Sequence, residues 1–243
     1  MTTIIRTMFA GICRDVHTLI WTMLFPVGIL LGLGLYLKGS GYSERLLSGV
    51  LTTNVLFGST MVTAFYVMAH RNRGIYKLLK ITPFSTGAFI FSVTAARAAL
   101  TFLVSFTVIV LGTAVLGVRL TAPGLMLMFP ILIIGILCFT AIGFLAANLS
   151  KDESNVNMIS NLISFPMLFA SEAFYSLQHA PGWVKTLSRL HPFHYFVEAM
   201  HASVRFSAGS SYTDVLVPAA ILGGFTVLCM AMAKWTFRWD PAD

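Results

Sequence analysis

The chain has 243 residues, of which 57% are hydrophobic and only 10% are charged, with a mean hydropathy of +0.82. This composition excludes a soluble globular domain, because too few polar residues are present to cover its outside. The net charge of +7 is modest and its cations stand mostly at the ends of apolar runs, so membrane topology explains them better than nucleic-acid binding. The cysteines Cys13, Cys138 and Cys229 lie far apart in apolar stretches without metal-ligand spacing, and we expect free thiols.

The first element in chain order is an amphipathic segment over residues 1–16. Its apolar residues recur at helical spacing among Arg6, Arg14 and Asp15, which predicts a helix lying in the membrane interface. A plain extension of the first span is the alternative. The first span is predicted over about 17–37, a run long enough to cross a hydrocarbon core of about 30 Å. The run ends without a small-x-small cleavage site, so we expect the span to remain in the protein.

Five further apolar runs follow, so the sequence predicts an all-α integral membrane protein with six transmembrane helices in a single domain over residues 1–243. Arg97 lies inside the third run, where a cation is costly unless it reaches the headgroups or faces the protein interior. We expect it to extend toward the cytoplasmic headgroups. The further spans are predicted over about 46–69, 86–116, 123–147, 156–176 and 214–234.

A basic loop over residues 70–85 joins the second and third spans and holds four cations and no acid. Its apolar residues share one helical face, which predicts a short amphipathic helix that either rests on anionic lipid or docks a cytoplasmic partner. This dense cationic cluster places the loop, and with six spans both termini, on the cytoplasmic side. The residues concerned are Ile75, Leu78 and Leu79 on the face, with Gly74 and Pro83 at the ends.

Two polar stripes lie on predicted spans, one on the second span and one on the fifth. Such a stripe lines a transport pathway, or its side chains bond back to their own helix or to a neighbouring one. The stripe on the fifth span is the better pathway candidate, because two asparagines on one face in hydrocarbon need partners or water. The stripes consist of Ser48, Thr52, Ser59 and Thr63 on the second span, and Asn157, Asn161, Ser164 and Ser171, interrupted by Pro166, on the fifth.

The segment over residues 177–213 is too polar to span a membrane and too apolar to lie free in water. A break at Pro181 and Gly182 is followed by Trp183, an aromatic residue typical of the membrane interface. We predict two short helices that dip into the outer leaflet and return, which is possible only where protein covers their backbone. Glu172, just before this segment, is expected to lie near the outer interface.

Four side chains in this outer segment share the spacing i, i+3, i+7 and i+10, which places them on one helical face. They are His191, His194, Glu198 and His201. Such a face is able to ligate a metal or to titrate near neutral pH, but histidines at a membrane interface are more commonly just hydrated. We therefore predict no metal site.

The sequence contains no GxxxxGK[ST] phosphate-binding loop, no HExxH and no GxSxG motif. No catalytic residue, nucleotide site or cofactor is therefore expected on this chain.

Several landmarks, in their order and spacing, resemble the permease subunits of type-2 ATP-binding-cassette (ABC) exporters over nearly the whole chain. One group lies near the first span, a second in the basic loop, and a third in the fifth span and the outer segment. The landmarks are Arg14-Asp15, Thr18-Leu19 and Phe25-Pro26; Arg71, Arg73-Gly74, Leu78-Leu79, Thr82-Pro83 and Ser85; Ser164-Phe165-Pro166, Ser171, Pro181-Gly182-Trp183, His191-Pro192-Phe193, Tyr195 and Glu198-Ala199.

The resemblance implies six spans, an N-terminal interfacial helix, a coupling helix in the first inner loop and an outer re-entrant region. It also implies a homo- or heterodimer that binds two separate ATPase subunits, which hold the ATP and Mg. The residues it assigns to ATPase coupling are Arg71, Arg73, Gly74, Ile75, Tyr76, Leu78, Leu79 and Pro83, and those it assigns to the outer region are Glu172, Trp183, His191, Tyr195 and Glu198.

The resemblance predicts export across a bacterial plasma membrane. The modest outer loops and the apolar pathway favour a hydrophobic or amphipathic cargo, such as a drug, a peptide antibiotic or a lipid, with a role in resistance; a lipid-linked glycan is a further candidate. An ATP-independent secondary transporter or channel is the alternative function. An integral membrane enzyme is disfavoured, since no nucleophile–base pair or metal motif lies on a span.

Overall fold

The computed structural model describes residues 16–37, 42–74 and 86–236, apart from the side chains of residues 16–22, 86–94 and Arg97. Within these ranges the chain forms eight helices and no strand. The helices are α1 (Val16–Tyr36), α2 (Ser43–Asn72), α3 (Thr86–Ala114), α4 (Ala122–Leu149), α5 (Glu153–Phe169), α6 (Gly182–Arg189), α7 (Pro192–Val204) and α8 (Thr213–Thr236).

Three of the described helices, α2, α4 and α8, are long and apolar enough to cross a membrane. Helices α1 and α3 contribute shorter apolar stretches, Met23–Tyr36 and Ala98–Ala114. The all-helical prediction is confirmed for the part of the chain described here, and the six-span arrangement stays a prediction. The predicted interfacial helix with Arg6, Arg14 and Asp15, and nearly all of the predicted coupling helix, lie outside the described residues.

The ends of the helices follow from local chemistry. Helix α2 ends before Gly74, which has a φ of +67° that side-chain-bearing residues rarely adopt. Helix α4 begins after Thr121, whose Oγ1 accepts a hydrogen bond from the Gly124 N–H at 3.2 Å. Helix α5 begins after Asp152, whose carboxylate accepts one from the Asn155 N–H at 2.8 Å.

Helix α4 lies at the centre of the bundle, where it contacts α2, α3, α5, α7 and α8. Phe139 on α4 packs against Phe193 and Phe196 of α7 with ring centroids 5.8 Å apart in each pair, and all three rings are fully buried. Gly135 makes room for this contact, because a Cβ there would come within 2.5 Å of the Phe196 ring. The two short helices expected in the outer segment are therefore present, and α7 is inserted into the core while α6 lies outside it.

Helix α5 ends at Phe169, whereas the fifth span was expected to continue as helix to about residue 176. The Ser171 hydroxyl donates to the Leu168 carbonyl at 2.7 Å, which satisfies one of the carbonyls left open at the helix end. The following chain then packs against α2 at Gly49, where any Cβ would overlap the Ala173 carbonyl oxygen. The first part of this non-helical stretch, residues 170–174, is buried or half-buried against protein, which is the condition for irregular backbone at membrane depth.

Candidate functional site

Two polar clusters mark the two ends of α2. This helix has 30 residues, which corresponds to about 45 Å and exceeds the hydrocarbon core of about 30 Å. A helix of this length is able to reach both membrane surfaces with its two ends. We call one the Arg71 end, formed by Arg71, Asn148 and Thr236, and the other the Arg45 end, formed by Arg45, Glu172, His201 and Arg205.

At the Arg71 end, one buried arginine joins three helices. Arg71 is only 4% exposed, and its guanidinium donates to the Ala147 carbonyl at 3.1 Å and to Asn148 Oδ1 at 3.0 Å. Asn148 Nδ2 in turn lies 3.4 Å from Thr236 Oγ1 of α8. The positive charge stands at the carboxyl end of α4, where the helix dipole and the open carbonyls favour a cation.

This geometry separates the predicted coupling residues into two groups. Arg71 points into the bundle, whereas Arg73 is exposed and Gly74 is half-buried just beyond the end of α2. Asn148 and Thr236 complete this cluster, and no pattern in the sequence indicated that they would. The remaining predicted coupling residues lie outside the described part of the chain: Ile75, Tyr76, Leu78, Leu79 and Pro83.

The polar stripe on α2 is buried within the subunit. Thr52 Oγ1 donates to the Ser48 carbonyl at 2.9 Å, as expected for a hydroxyl that bonds back to its own helix. Further along, Ser59 and Thr63 lie at the crossing with α4, where Gly143 allows the two backbones to approach closely. The four residues of this stripe are thus part of helix contacts and face no open space in the described structure.

The polar stripe on α5 is divided between two faces. Ser160 and Ser164 are buried, and neither hydroxyl has a hydrogen-bond partner among the described residues. Asn157 is exposed, and Asn161 Nδ2 donates to its Oδ1 at 2.9 Å, so the two amides form a pair on the outside of the subunit. Exposed amides in hydrocarbon are costly, so this face requires water or a second protein surface.

At the Arg45 end, His201 connects three parts of the fold. Its Nδ1 lies 2.5 Å from Ser48 Oγ on α2, and its Nε2 lies 3.0 Å from the Glu172 carbonyl oxygen. Burial, helped by the positive charges of Arg45 and Arg205 nearby, lowers the pKa of His201 to about 4. His201 is therefore neutral at physiological pH and acts as a hydrogen-bonding link between α7, α2 and the stretch after α5.

The other histidines of the predicted face have separate partners. His191 Nδ1 accepts the His194 N–H at 3.3 Å and so begins α7, while burial lowers the His191 pKa to about 4. His194 Nδ1 lies 2.8 Å from Ser188 Oγ, and its Nε2 lies 3.8 Å from Glu198. Among the described residues, no three His, Cys, Asp or Glu side chains are grouped closely enough to hold a metal ion.

The remaining predicted outer residues lie at different places around this end. Trp183 is 71% exposed on α6. The Tyr195 hydroxyl donates to the Arg189 carbonyl at 3.0 Å, and the Glu172 carboxylate accepts from the Leu177 N–H at 3.1 Å. Tyr195, Glu172 and Glu198 line one cavity, together with residues that the sequence did not single out, Arg45 among them.

With its apolar helices of spanning length and their polar ends, this fold defines a multi-pass helical membrane protein. Residues 1–204, a stretch that includes α1 to α7, match the family described as ABC-2 type transporter. The chain belongs to this ABC-2 type transporter family. Its permeases are membrane transport components rather than catalysts, and they normally work with ATPase subunits. No curated protein matches the chain.

Proposed function

We propose that this chain is the permease subunit of an exporter in which two separate ATPase subunits drive two permease subunits. The cargo is a hydrophobic or amphipathic molecule that leaves toward the outside or the outer leaflet. The Arg71 end faces the cytoplasm in this proposal, in keeping with the cationic loop that follows it.

The exposed amide pair of Asn157 and Asn161 carries the proposal. These two side chains lie on the outside of a single subunit, beside the exposed apolar residues Met158, Leu162 and Phe169 of the same helix. A face of this mixed character suits an interface with a second subunit that opens to water during transport. The cargo path then runs between two copies of α5 rather than through one subunit.

ATP enters the mechanism through the loop between α2 and α3. Closure of the ATPase dimer pushes on the predicted coupling helix, and the contacts of Arg71 with α4 transmit that displacement to the bundle. The free energy enters as a shift between inward- and outward-facing populations, set by the different contacts the ATPase makes with each.

The test is a variant with Leu78→Asp and Leu79→Asp, compared with Leu187→Asp and Leu190→Asp as a matched control. The control places the same two carboxylates on the exposed surface around α6, near the opposite end of the bundle. We expect the wild-type and control chains to co-purify with a protein that carries GxxxxGK[ST] and to support ATP-dependent export in vesicles. The loop variant is expected to lose both.

Two outcomes would contradict the proposal. One is a loop variant that still assembles with the ATPase and still couples ATP hydrolysis to export. The other is a wild-type chain that moves its cargo in sealed vesicles without nucleotide, which would favour the secondary transporter.

A further inference from the structure

A cavity of about 560 Å³ opens at the Arg45 end. It lies between the start of α2, the stretch after α5, helices α6 and α7, and the turn after α7. Its volume suits a small ligand or the polar head of a larger one. The charged residues that line it are Arg45, Lys185, Arg189, Arg205, Glu172 and Glu198.

One carboxylate of this cavity and two of its cations have hydrogen-bond partners within the described residues. Glu172 accepts from the Leu177 N–H, whereas Glu198 lies 3.8 Å from His194 Nε2, which is beyond hydrogen-bond distance. Lys185 Nζ donates to the Gln178 carbonyl at 2.7 Å, and Arg205 Nε donates to Glu44 at 3.2 Å. Lys185 and Arg205 are therefore already bonded within the protein.

Arg45 and Arg189 differ, because neither guanidinium has a hydrogen bond or ion pair to any residue in the described ranges. Both side chains line the cavity. The two histidines that also line it, His194 and His201, have pKa values lowered first of all by burial, so they add no positive charge at neutral pH. The cavity thus holds an excess of cations over carboxylates, with two guanidinium groups open to an anion.

The expected depth of Arg45 in the bilayer indicates which anion is available to it. Arg45 and Arg71 are separated by roughly 39 Å along α2 at 1.5 Å per residue. The bilayer measures about 30 Å across its hydrocarbon core and about 40–45 Å with the headgroup regions. An arginine at each end of α2 is therefore at headgroup level, where phosphate is the common anionic group. A guanidinium binds phosphate through two parallel hydrogen bonds, a geometry that lysine lacks.

We propose that this cavity binds the phosphate group of an amphiphile, with Arg45 and Arg189 as the donors. The amphiphile is either a resident phospholipid or a phosphate-bearing cargo, and the same chemistry recognises both. Binding requires no ATPase, so this site is independent of the export mechanism proposed above.

The experiment measures ligand binding to the purified full-length chain in an uncharged detergent. The probes are a short-chain phosphatidylglycerol, the diacylglycerol with the same acyl chains, and inorganic phosphate as a competitor. The test variant carries Arg45→Gln and Arg189→Gln. The matched control carries Arg119→Gln and Lys151→Gln, which remove the same charge from exposed positions outside the cavity.

We expect the wild-type and control chains to bind phosphatidylglycerol at least about tenfold more tightly than diacylglycerol, since each charge-assisted hydrogen bond is worth about that factor. The test variant is expected to lose this preference. Competition by inorganic phosphate means that the phosphate group alone is recognised, and a lack of competition means that the acyl chains are also required; both agree with the site.

Equal affinity for the two lipids, or an unchanged preference in the test variant, overturns the proposal. The single variant Arg189→Gln serves as a control for misfolding of the double variant. The exposed guanidinium of Arg189 has no partner in the described structure, so its removal is not expected to destabilise the fold. This single variant is expected to weaken phosphatidylglycerol binding while the unfolding temperature stays that of the wild type. Unchanged binding in this variant also refutes the role of Arg189.

Discussion

Replacement of Arg71 by methionine is expected to destabilise the protein, although the family resemblance assigns this residue to ATPase coupling. The substitution keeps most of the side-chain volume and removes two hydrogen bonds from a buried charged donor, to Ala147 and to Asn148. Each such bond is worth about 1.5–3 kcal/mol; Asn148 Oδ1 would lose its donor, whereas the Ala147 carbonyl would keep the Ser150 N–H at 3.3 Å. We expect a loss of about 3 kcal/mol, taken at the lower end of that range.

The assay is thermal unfolding of the purified chain in detergent, with Arg73→Met as the matched control. A loss of about 3 kcal/mol corresponds to a fall of roughly 6–12 °C in unfolding temperature for a chain of this size. The control removes the same charge two positions later from an exposed side chain, so its unfolding temperature is expected to stay close to that of the wild type. Equal unfolding temperatures for the two variants would refute the structural role assigned to Arg71.

Two further predictions concern α4 and α7. Gly143→Ala is expected to destabilise the protein by about 1–3 kcal/mol, because the new Cβ would lie 2.5 Å from the Thr60 carbonyl oxygen. The control Gly28→Ala places its Cβ in open space and is not expected to change stability. Similar unfolding temperatures for these two variants would contradict this prediction. The pKa of His201 is about 4 in the folded protein and about 6.5 in the unfolded chain. Its contribution to the free energy of unfolding is therefore complete above pH 6.5, and this contribution falls by up to about 3 kcal/mol as the pH drops toward 4. Unfolding temperatures between pH 7.5 and 4.5 are expected to fall less steeply for His201→Gln, and an identical pH dependence would show that His201 is not responsible.

Much of the helical layout was predictable because it depends on local features of the sequence. The apolar runs are interrupted by residues with strong conformational preferences, and Gly74 is a clear case: the expected helix break is present there. The end of α5 at Phe169 was not predictable. It depends on Gly49, which is far away in sequence and allows the chain after α5 to pack closely against α2.

The arrangement of the polar residues was less accessible from the sequence. Helical periodicity correctly grouped Ser48 with the other hydroxyls of its stripe, but it does not say what that face contacts. In the structure Ser48 meets His201, while Arg71 meets Asn148. Each of these pairs joins residues far apart in the chain, so only the tertiary structure reveals them. The cationic cavity was missed for the same reason, since Arg45 and Arg189 come from different elements.

Helix α2 packs most closely against α4 where Gly143 approaches Thr60, so this contact can act as a pivot for α2. From Thr60 the helix extends about 18 Å to Asn72 and about 26 Å to Ser43, at 1.5 Å per residue. If α2 moves as a rigid rod about this contact, its two arms move in opposite directions, and the end of the longer arm moves further. A sideways thrust of about 2 Å at the shorter arm swings the longer arm by roughly 3 Å in the opposite direction. His201, fastened to that longer arm through Ser48, is carried along with it.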